Sequence, residues 1–430
     1  MIRESALDRI LYQAKKFIPK RIFDFFQPMY HELLAYGGAL RYGFPSRSMR
    51  VIGVTGTKGK STTVFIITKI LEDSGHCVAA IGSLGFKIKD RTWPNTLKMT
   101  MPGRFRLQKF LAEAKKAGCE YVVLKVTSEG IKQKRHLGIQ FDCAVFTNLH
   151  KEHLESHGSL EKYIEAKQEL FKVTEHFHVL NADDGHIADF ESFPADKKIT
   201  YGIISGDIRP EQLTVGTDRS VFRLGLPGQG GESVHLNLGG AFNVLNALAA
   251  WSVATIYGVG PAVISKALGS IDSIPGRLEF IQKEPFSVVV DYAHTPDSLE
   301  AVYKTLKPER GKLICVLGAA GGGRDKWKRP EFGAIAEKYC DEIFLTDEDP
   351  FEEDPEAILD QVQKGIASEH ANVHRILDRK QAIGAGLAAA CPGDTVVITG
   401  KGSEVSMAIA GNKKIPWSDK NIVRQLLGLA

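Results

Sequence analysis

No C-x-x-C pair occurs in this chain; Cys77, Cys119, Cys143, Cys315, Cys340 and Cys391 are scattered singly. That spacing excludes zinc ribbons and dithiol redox motifs. Most of the six sit in apolar runs, where a thiol reads as a small buried hydrophobe suited to a reducing cytoplasm. Long uninterrupted apolar runs are missing as well. Arg9, Lys15, Lys16, Lys20 and Arg21 break up the first segment, which excludes a secretory signal and a membrane span there. A large charge imbalance is also absent. The chain carries 55 Lys and Arg against 51 Asp and Glu, a formal net charge of +4, too small to imply a nucleic acid partner. What surplus exists is local: residues 1–50 hold nine Lys/Arg and four Asp/Glu, so that segment is +5 and the remainder sums to −1. No internal repeat or low-complexity tract is present. The 430 residues, 43% hydrophobic and 25% charged, suffice for two or three domains with ample core.

The most informative stretch is Val51-Ile-Gly-Val-Thr-Gly-Thr-Lys-Gly-Lys-Ser-Thr-Thr63. A β-branched run leads into Gly56, Thr57, Gly59, Lys60, Ser61 and Thr62, and a helical pattern follows. The spacing predicts a strand, a glycine turn and a helix start. Glycines let backbone N–H groups approach phosphate oxygens, and a helix N-terminus favours negative charge. Lys60 would neutralise a β- or γ-phosphate and Ser61 would reach a magnesium ion. Val54 stands where the full G-x-x-x-x-G-K-[ST] pattern has its first glycine, so the motif is the shorter G-T-x-G-K-[ST].

The chain reads as α/β in three parts. Residues 1–48 form a short helical leader: Leu7, Ile10, Leu11, Ala14, Phe17 and Ile18 recur at helical spacing, Pro19 ends the run, and a second apolar stretch spans Ile22 to Leu40. A basic amphipathic leader either packs on the main domain or lies on an anionic membrane surface as a peripheral contact. Residues 49–275 alternate strand and helix, which predicts a P-loop central domain with a mostly parallel sheet. Expected strands are Val51–Thr55, Val78–Ile81, Tyr121–Val126 and Ala144–Thr147, with helices at 105–117 and 159–173. Short alternating runs over 198–238 suggest an antiparallel appendage, and Phe242–Val259 a long apolar helix. After the hinge-like Pro275-Gly276-Arg277, residues 276–430 carry strands at Ser287–Val290, Leu313–Leu317, Glu342–Thr346 and Thr395–Thr399, a C-terminal Rossmann-like domain.

Residues 147–167 read TNLHKEHLESHGSLEKYIEAK. Together with G-T-x-G-K-S, this resembles the Mur ligase family, whose pattern has aspartates where Glu152 and Glu155 stand here. The resemblance runs from the phosphate loop to the C-terminus and is closest to the MurE-type branch, which adds the third residue of the stem peptide. It implies an ATP-dependent ligase that converts a carboxylate into an acyl phosphate, which an amine then attacks, with ATP and Mg2+ as cofactors. By the same resemblance His153 is a magnesium-binding histidine. Lys167, 14 residues on as in the family, is a lysine carbamylated into an oxygen ligand. Asn243 and Asn246 would read the adenine, Arg277 in PGRLE would reach the ATP phosphates, and Asp291 in DYAHTP would hold the ribose with His294 beside it. Gly321-Gly-Gly323-Arg324-Asp325-Lys326 resembles a loop that closes over the nucleotide.

The partners implied are a small-molecule amino acid and a peptidoglycan-like precursor. Thr100, Ser128, Gln133 and Arg135 fall on the pattern that grips the precursor peptide, and Arg135 has the planar fork suited to a carboxylate. For the incoming amine the resemblance points to Glu348-Asp349-Pro350-Phe351 and to Gly400-Lys-Gly-Ser-Glu404. Phe351 replaces the arginine that reads the distal carboxylate of diaminopimelate, so Asp349 and Glu404 would suit an amine-tipped side chain such as lysine. Two departures stand out. Lys125 occupies the place of a magnesium-bridging glutamate, the wrong sign for a cation unless Glu129 supplies the acid instead. The leader is also too short for the domain that holds the UDP moiety. Two alternatives follow: a ligase resembling folylpolyglutamate synthetase, against which the DYAHTP and GKGSE runs argue, and a nucleotide-binding pseudo-enzyme, for which Lys125 argues.

Overall fold

Arg50–Thr55 (β1) is β-branched and, beyond Arg50, fully buried, so it reads and folds as the central strand of a covered sheet. In the computed structural model, which describes residues 20–95, 100–152, 154–225, 231–367, 372–411 and 413–429, β1 lies fifth among eight strands. The others are Val78–Gly82 (β2), Gly85–Ile88 (β3), Arg91–Trp93 (β4), Tyr121–Lys125 (β5), Cys143–Phe146 (β6), Phe177–Asn181 (β7) and Lys197–Tyr201 (β8). The order is β4-β3-β2-β5-β1-β6-β7-β8. From β2 to β8 every pairing is parallel, while β3 and β4 add an antiparallel edge. The expected strands and the helices Arg104–Lys116 and Leu160–Lys172 fall where the periodicity puts them.

The antiparallel appendage is smaller than expected. Glu211–Val215 (β9), Ser220–Leu224 (β10) and Glu232–Leu236 (β11) form it alone. Residues 197–201 instead extend the parallel sheet, because Ile199 and Tyr201 bury their side chains against it. The apolar helix Ala241–Ile256, with Trp251 fully buried, packs on the phosphate-loop helix Lys60–Asp73.

A second sheet is built from Glu279–Gln282 (β12), Ser287–Val290 (β13), Leu313–Leu317 (β14), Glu342–Leu345 (β15), Val373–Arg375 (β16) and Thr395–Ile398 (β17). Its order is β12-β13-β17-β14-β15-β16, parallel except at β12. The cysteine reading needs one correction. Cys315 in β14 and Cys340, which follows the helix Lys328–Tyr339, are joined by a disulfide, because that helix end comes within a Cα–Cα distance of 6.0 Å of the strand.

In the leader, residues 1–19 lie outside the described residues. Lys20–Arg41 is one helix, whose Gly38 and Ala39 pack on Phe105 and Gly138. Its outer face leaves Phe26, Met29, Leu33, Tyr36 and Leu40 exposed. Among the described residues no helix is long and apolar enough to cross a membrane.

The C-terminal helix Asp419–Leu426 is fixed by a fully buried ion pair. Arg379 donates through Nε and Nη2 to the Asp419 carboxylate at 2.9 and 2.7 Å, and Nη2 also reaches the Thr399 carbonyl at 2.8 Å. Removing one partner of such a pair strands a buried charge. Asp419→Ala is therefore expected to lower the unfolding free energy by about 3–5 kcal/mol in urea titration; an unchanged midpoint would remove this clamp from the account.

Candidate active site

Both sheets direct their carboxyl ends at one cavity of about 1340 Å³. In parallel α/β sheets that is where ligands bind. From the first sheet come the loop after β1, the end of β5 and the segment after β6. From the second come Asp291 after β13, Glu348 and Asp349 after β15, and Gly400 to Glu404 after β17.

The phosphate loop is folded on itself and braced from behind. Gly59, with φ 76°, caps the helix Lys60–Asp73. A Cβ there would lie 2.2 Å from Asn246 Oδ1, so only glycine fits. Lys60 Nζ donates to the Gly56 and Thr57 carbonyls at 2.6 Å each. Thr57 Oγ1 lies 3.1 Å from the Tyr163 hydroxyl. Lys167, 1% exposed, donates through Nζ to the Gly56 carbonyl at 2.6 Å. Thr62 is buried in the first turn of the helix and lines the cavity.

The electrostatics are one-sided. Burial pushes Lys60 down to about 8, with Lys58 and Arg277 adding to the effect and Glu152 opposing it. Burial, then the Lys60 charge, holds Lys167 well below the usual lysine range. Lys125 is depressed in the same way by burial, Lys60 and Arg277. Glu152 is the counter-charge shared by Lys58, Lys60, Lys125 and Lys167, and it pairs with Lys58 at 3.3 Å.

Among the described residues, those around Ser61 do not suit a divalent cation. Ser61 Oγ, expected on magnesium, lies 3.0 Å from Ser83 Oγ, and Ser83 in turn accepts from Lys125 Nζ. Glu129, on the short helix Ser128–Lys132, lines the cavity, and its carboxylate accepts from the Ser156 hydroxyl and faces His157 at 3.6 Å. His153 lies outside the described residues. Among the described residues no three His, Cys, Asp or Glu side chains gather as a metal cluster.

The nucleotide residues are brought together with altered partners. Asn246 accepts from Thr63 Oγ1 at 3.2 Å and donates to Asn243 Oδ1 at 3.3 Å, while Asn243 donates to the Gly239 carbonyl at 2.8 Å. These buried amides back the phosphate loop. Asp291 accepts from the Leu278 and Ala293 amides at 2.7 and 2.6 Å. Arg277 lies over the Tyr292 ring at 4.3 Å. His294, depressed by burial, donates through Nδ1 to the Tyr292 carbonyl at 2.7 Å and faces Glu152 at 3.6 Å. The loop Gly321–Lys326 reaches the first sheet's half of the molecule: the Glu155 amide donates to Asp325 at 3.3 Å and the Lys326 amide to Glu155 at 3.4 Å.

At the substrate end, Thr100, Ser128 and Arg135 line the cavity. Arg135 is 3% exposed and donates to the Met101 carbonyl and to Gln133 Oε1, the latter at 2.7 Å. At the opposite end the acid pair is already engaged. Lys401, 1% exposed in its side chain, donates to both oxygens of Asp349 at 2.8 Å and to Glu404 at 2.5 Å. Sequence reasoning left Lys401 unassigned although it lies inside the GKGSE run; Glu404, three residues on, was the available signal. Ser83, at the β2–β3 turn, carried no signal. Phe351 adopts φ 54° and lies against Gly322, where a Cβ would come within 2.5 Å of the ring.

Glu348 lies beneath Gly400, where a Cβ would come within 2.4 Å of its carboxylate. Burial lifts its carboxyl to about 7, against the opposing charges of Arg379 and Lys401 and with those of Asp349 and Glu404. An acid raised this way is penalised only when ionised, so the cost is absent below its ordinary value of 4.5 and grows as pH climbs through about 7. Glu348→Gln is expected to match the native chain near about pH 5 and to exceed it by a few kcal/mol of unfolding free energy at about pH 8. A difference that is constant across that range would contradict the assignment.

A family model described as the Mur ligase middle domain matches residues 54–254, and one described as Mur ligase, glutamate ligase domain matches residues 276–402. The chain is 38% identical over 417 residues to UDP-N-acetylmuramyl-tripeptide synthetase of Roseiflexus sp. (strain RS-1), covering 92% of this chain and 81% of that protein. It is 37% identical over 389 residues to the UDP-N-acetylmuramoyl-L-alanyl-D-glutamate--2,6-diaminopimelate ligase of Aquifex aeolicus (strain VF5), covering 90% and 79%. A solved structure of a ligase of the latter name superposes with a TM-score of 0.65 at 31% identity, covering 92% of this chain and 83% of that one. Mycobacterium tuberculosis folylpolyglutamate synthase, complexed with ADP and AMPPCP, shares the fold with a TM-score of 0.69 at 19% identity, covering 86% and 92%.

Proposed function

The chain belongs to the Mur ligase family, and from that membership we propose that it joins an amino acid to a carboxylate of a muramyl-peptide-like precursor in the cytoplasm, where ATP is available. ATP supplies the phosphoryl group that turns the carboxylate into an acyl phosphate, which the amine displaces. The observation that carries the reading is the braced phosphate loop opening on a cavity lined from both sheets. The helix N-terminus and Lys60 hold the polyphosphate, with Arg277 as a second cation. Thr100, Ser128 and Arg135 border the precursor end, and Asp349, Phe351, Gly400 and Glu404 the amine end. Lys167 supports the loop through Gly56.

Lys60 makes charge-assisted bonds to phosphate in this reading. Lys60→Ala is expected to weaken an ATP analogue by roughly tenfold to a hundredfold in calorimetry while the thermal midpoint holds. Unchanged affinity would refute the phosphate-loop assignment.

The acceptor is an amino acid with an amine-tipped side chain and no distal carboxylate. Phe351 supports this, because an aromatic ring stands where a guanidinium would grip that carboxylate. Lys401 engages both Asp349 and Glu404, so the incoming amine meets a partly neutralised network with Glu348 beside it rather than an open acidic cluster. In product-formation assays lysine is expected to exceed diaminopimelate in kcat/KM by about 2–3 kcal/mol of discrimination. Equal or better kinetics with diaminopimelate would show that the pocket reads a carboxylate after all.

A further inference from the structure

Lys125 has no part in the proposed reaction, yet its place is strictly determined. The parallel register sets Val54 of β1 beside Lys125 of β5, two residues before Gly56 of the phosphate loop. Its Nζ donates to Ser83 Oγ, which touches Ser61 Oγ, and Ser61 opens the helix whose N-terminus faces the cavity. Among the described residues no carboxylate pairs with it; Glu152 and Glu404 act on it only through space, while Lys60 and Arg277 repel it. Lys58, Lys60 and Arg277 line the same end of the cavity. Gathering this many cations around so few acids, Glu152 for the lysines and Asp291 and Glu404 for Arg277, is unfavourable unless a polyanion completes the set. A nucleoside triphosphate is such a polyanion. The described residues around Ser61, in contrast, do not suit a divalent ion, which needs oxygen ligands where an ammonium stands.

We propose that the Lys125 side chain acts as a fixed cation against the polyphosphate in the place of a divalent metal ion, so that this chain binds its nucleotide without magnesium. The inference rests on the nucleotide reading above. Bulk charge is not the whole of it: an ammonium offers directed donors but no vacant coordination sites, so it can neutralise phosphate oxygens without bridging them to a carboxylate.

The test is calorimetric titration of the full chain with AMPPCP, once with excess EDTA and once with magnesium. The native chain is expected to show dissociation constants within about threefold of each other; a larger dependence on magnesium would overturn the proposal. Lys125→Gln is expected to lose at least about tenfold in affinity in EDTA, and Lys125→Arg, which keeps the charge, to retain it. Lys125→Glu is expected to bind weakly in EDTA and to recover by about tenfold or more when magnesium is added. Lys125→Gln with native affinity in EDTA would overturn the proposal, and so would Lys125→Arg failing alongside a folded Lys125→Gln that still binds. If the native chain takes up no analogue in either condition, or Lys60→Ala binds as tightly as native, the nucleotide site itself is misassigned.

Discussion

A surplus of buried positive charge governs this molecule's site. Lys58, Lys60, Lys125 and Lys167 share Glu152 as counter-charge. Like charges in low dielectric repel strongly, so the arrangement survives only because each ammonium has a fixed acceptor. Lys60 and Lys167 donate to loop carbonyls and Lys125 to Ser83, while Lys58 forms an ion pair with Glu152. The depressed lysines are the electrostatic cost of keeping an anion site ready. The same surplus explains why Glu152 touches both halves: it also faces His294, which enters from the second sheet.

The second sheet contributes its acids through a different constraint. Arg379 holds Asp419, the Thr399 carbonyl and the Asp347 carbonyl at once, the last at 3.2 Å. Those bonds fix the ends of β15 and β17, the two strands whose following loops carry Glu348, Asp349, Lys401 and Glu404. Lys401 then closes the acid pair from inside. The amine end of the cavity is therefore an ordered network anchored on a buried guanidinium, and its charge balance depends on Lys401 as much as on the acids.

Much of this was legible in the sequence, for physical reasons that differ by element. Buried parallel strands announce themselves as apolar β-branched runs, so β1, β5, β13, β14 and β17 could be read directly. Short edge strands such as β4, β12 and β16 carry too few residues to show a period, and β8 was misgrouped because Ile199, Thr200 and Tyr201 alternate in burial. The phosphate loop was legible because its glycines answer to backbone geometry. The partners of Asn243, Asn246, Asp291 and Arg135 were not, since a residue type shows what a side chain can bond and never which acceptor the fold brings to it. The Cys315–Cys340 bond was illegible for the same reason: 25 residues separate the two in sequence, and only the strand–helix packing makes them neighbours.

The bracing of Gly56 has a consequence for the energetics of ligand capture. Its carbonyl receives both Lys60 and Lys167, while Thr57 leans on Tyr163, so the loop shares the rigidity of the helix Leu160–Lys172. A loop held this firmly gives up little chain entropy when a ligand arrives. Fixing even a few backbone residues would otherwise cost about 1–2 kcal/mol apiece. The recognition energy of the phosphate contacts is thus left largely for affinity, and the pace of capture is set by how a polyanion reaches the cavity rather than by any refolding of the loop that receives it.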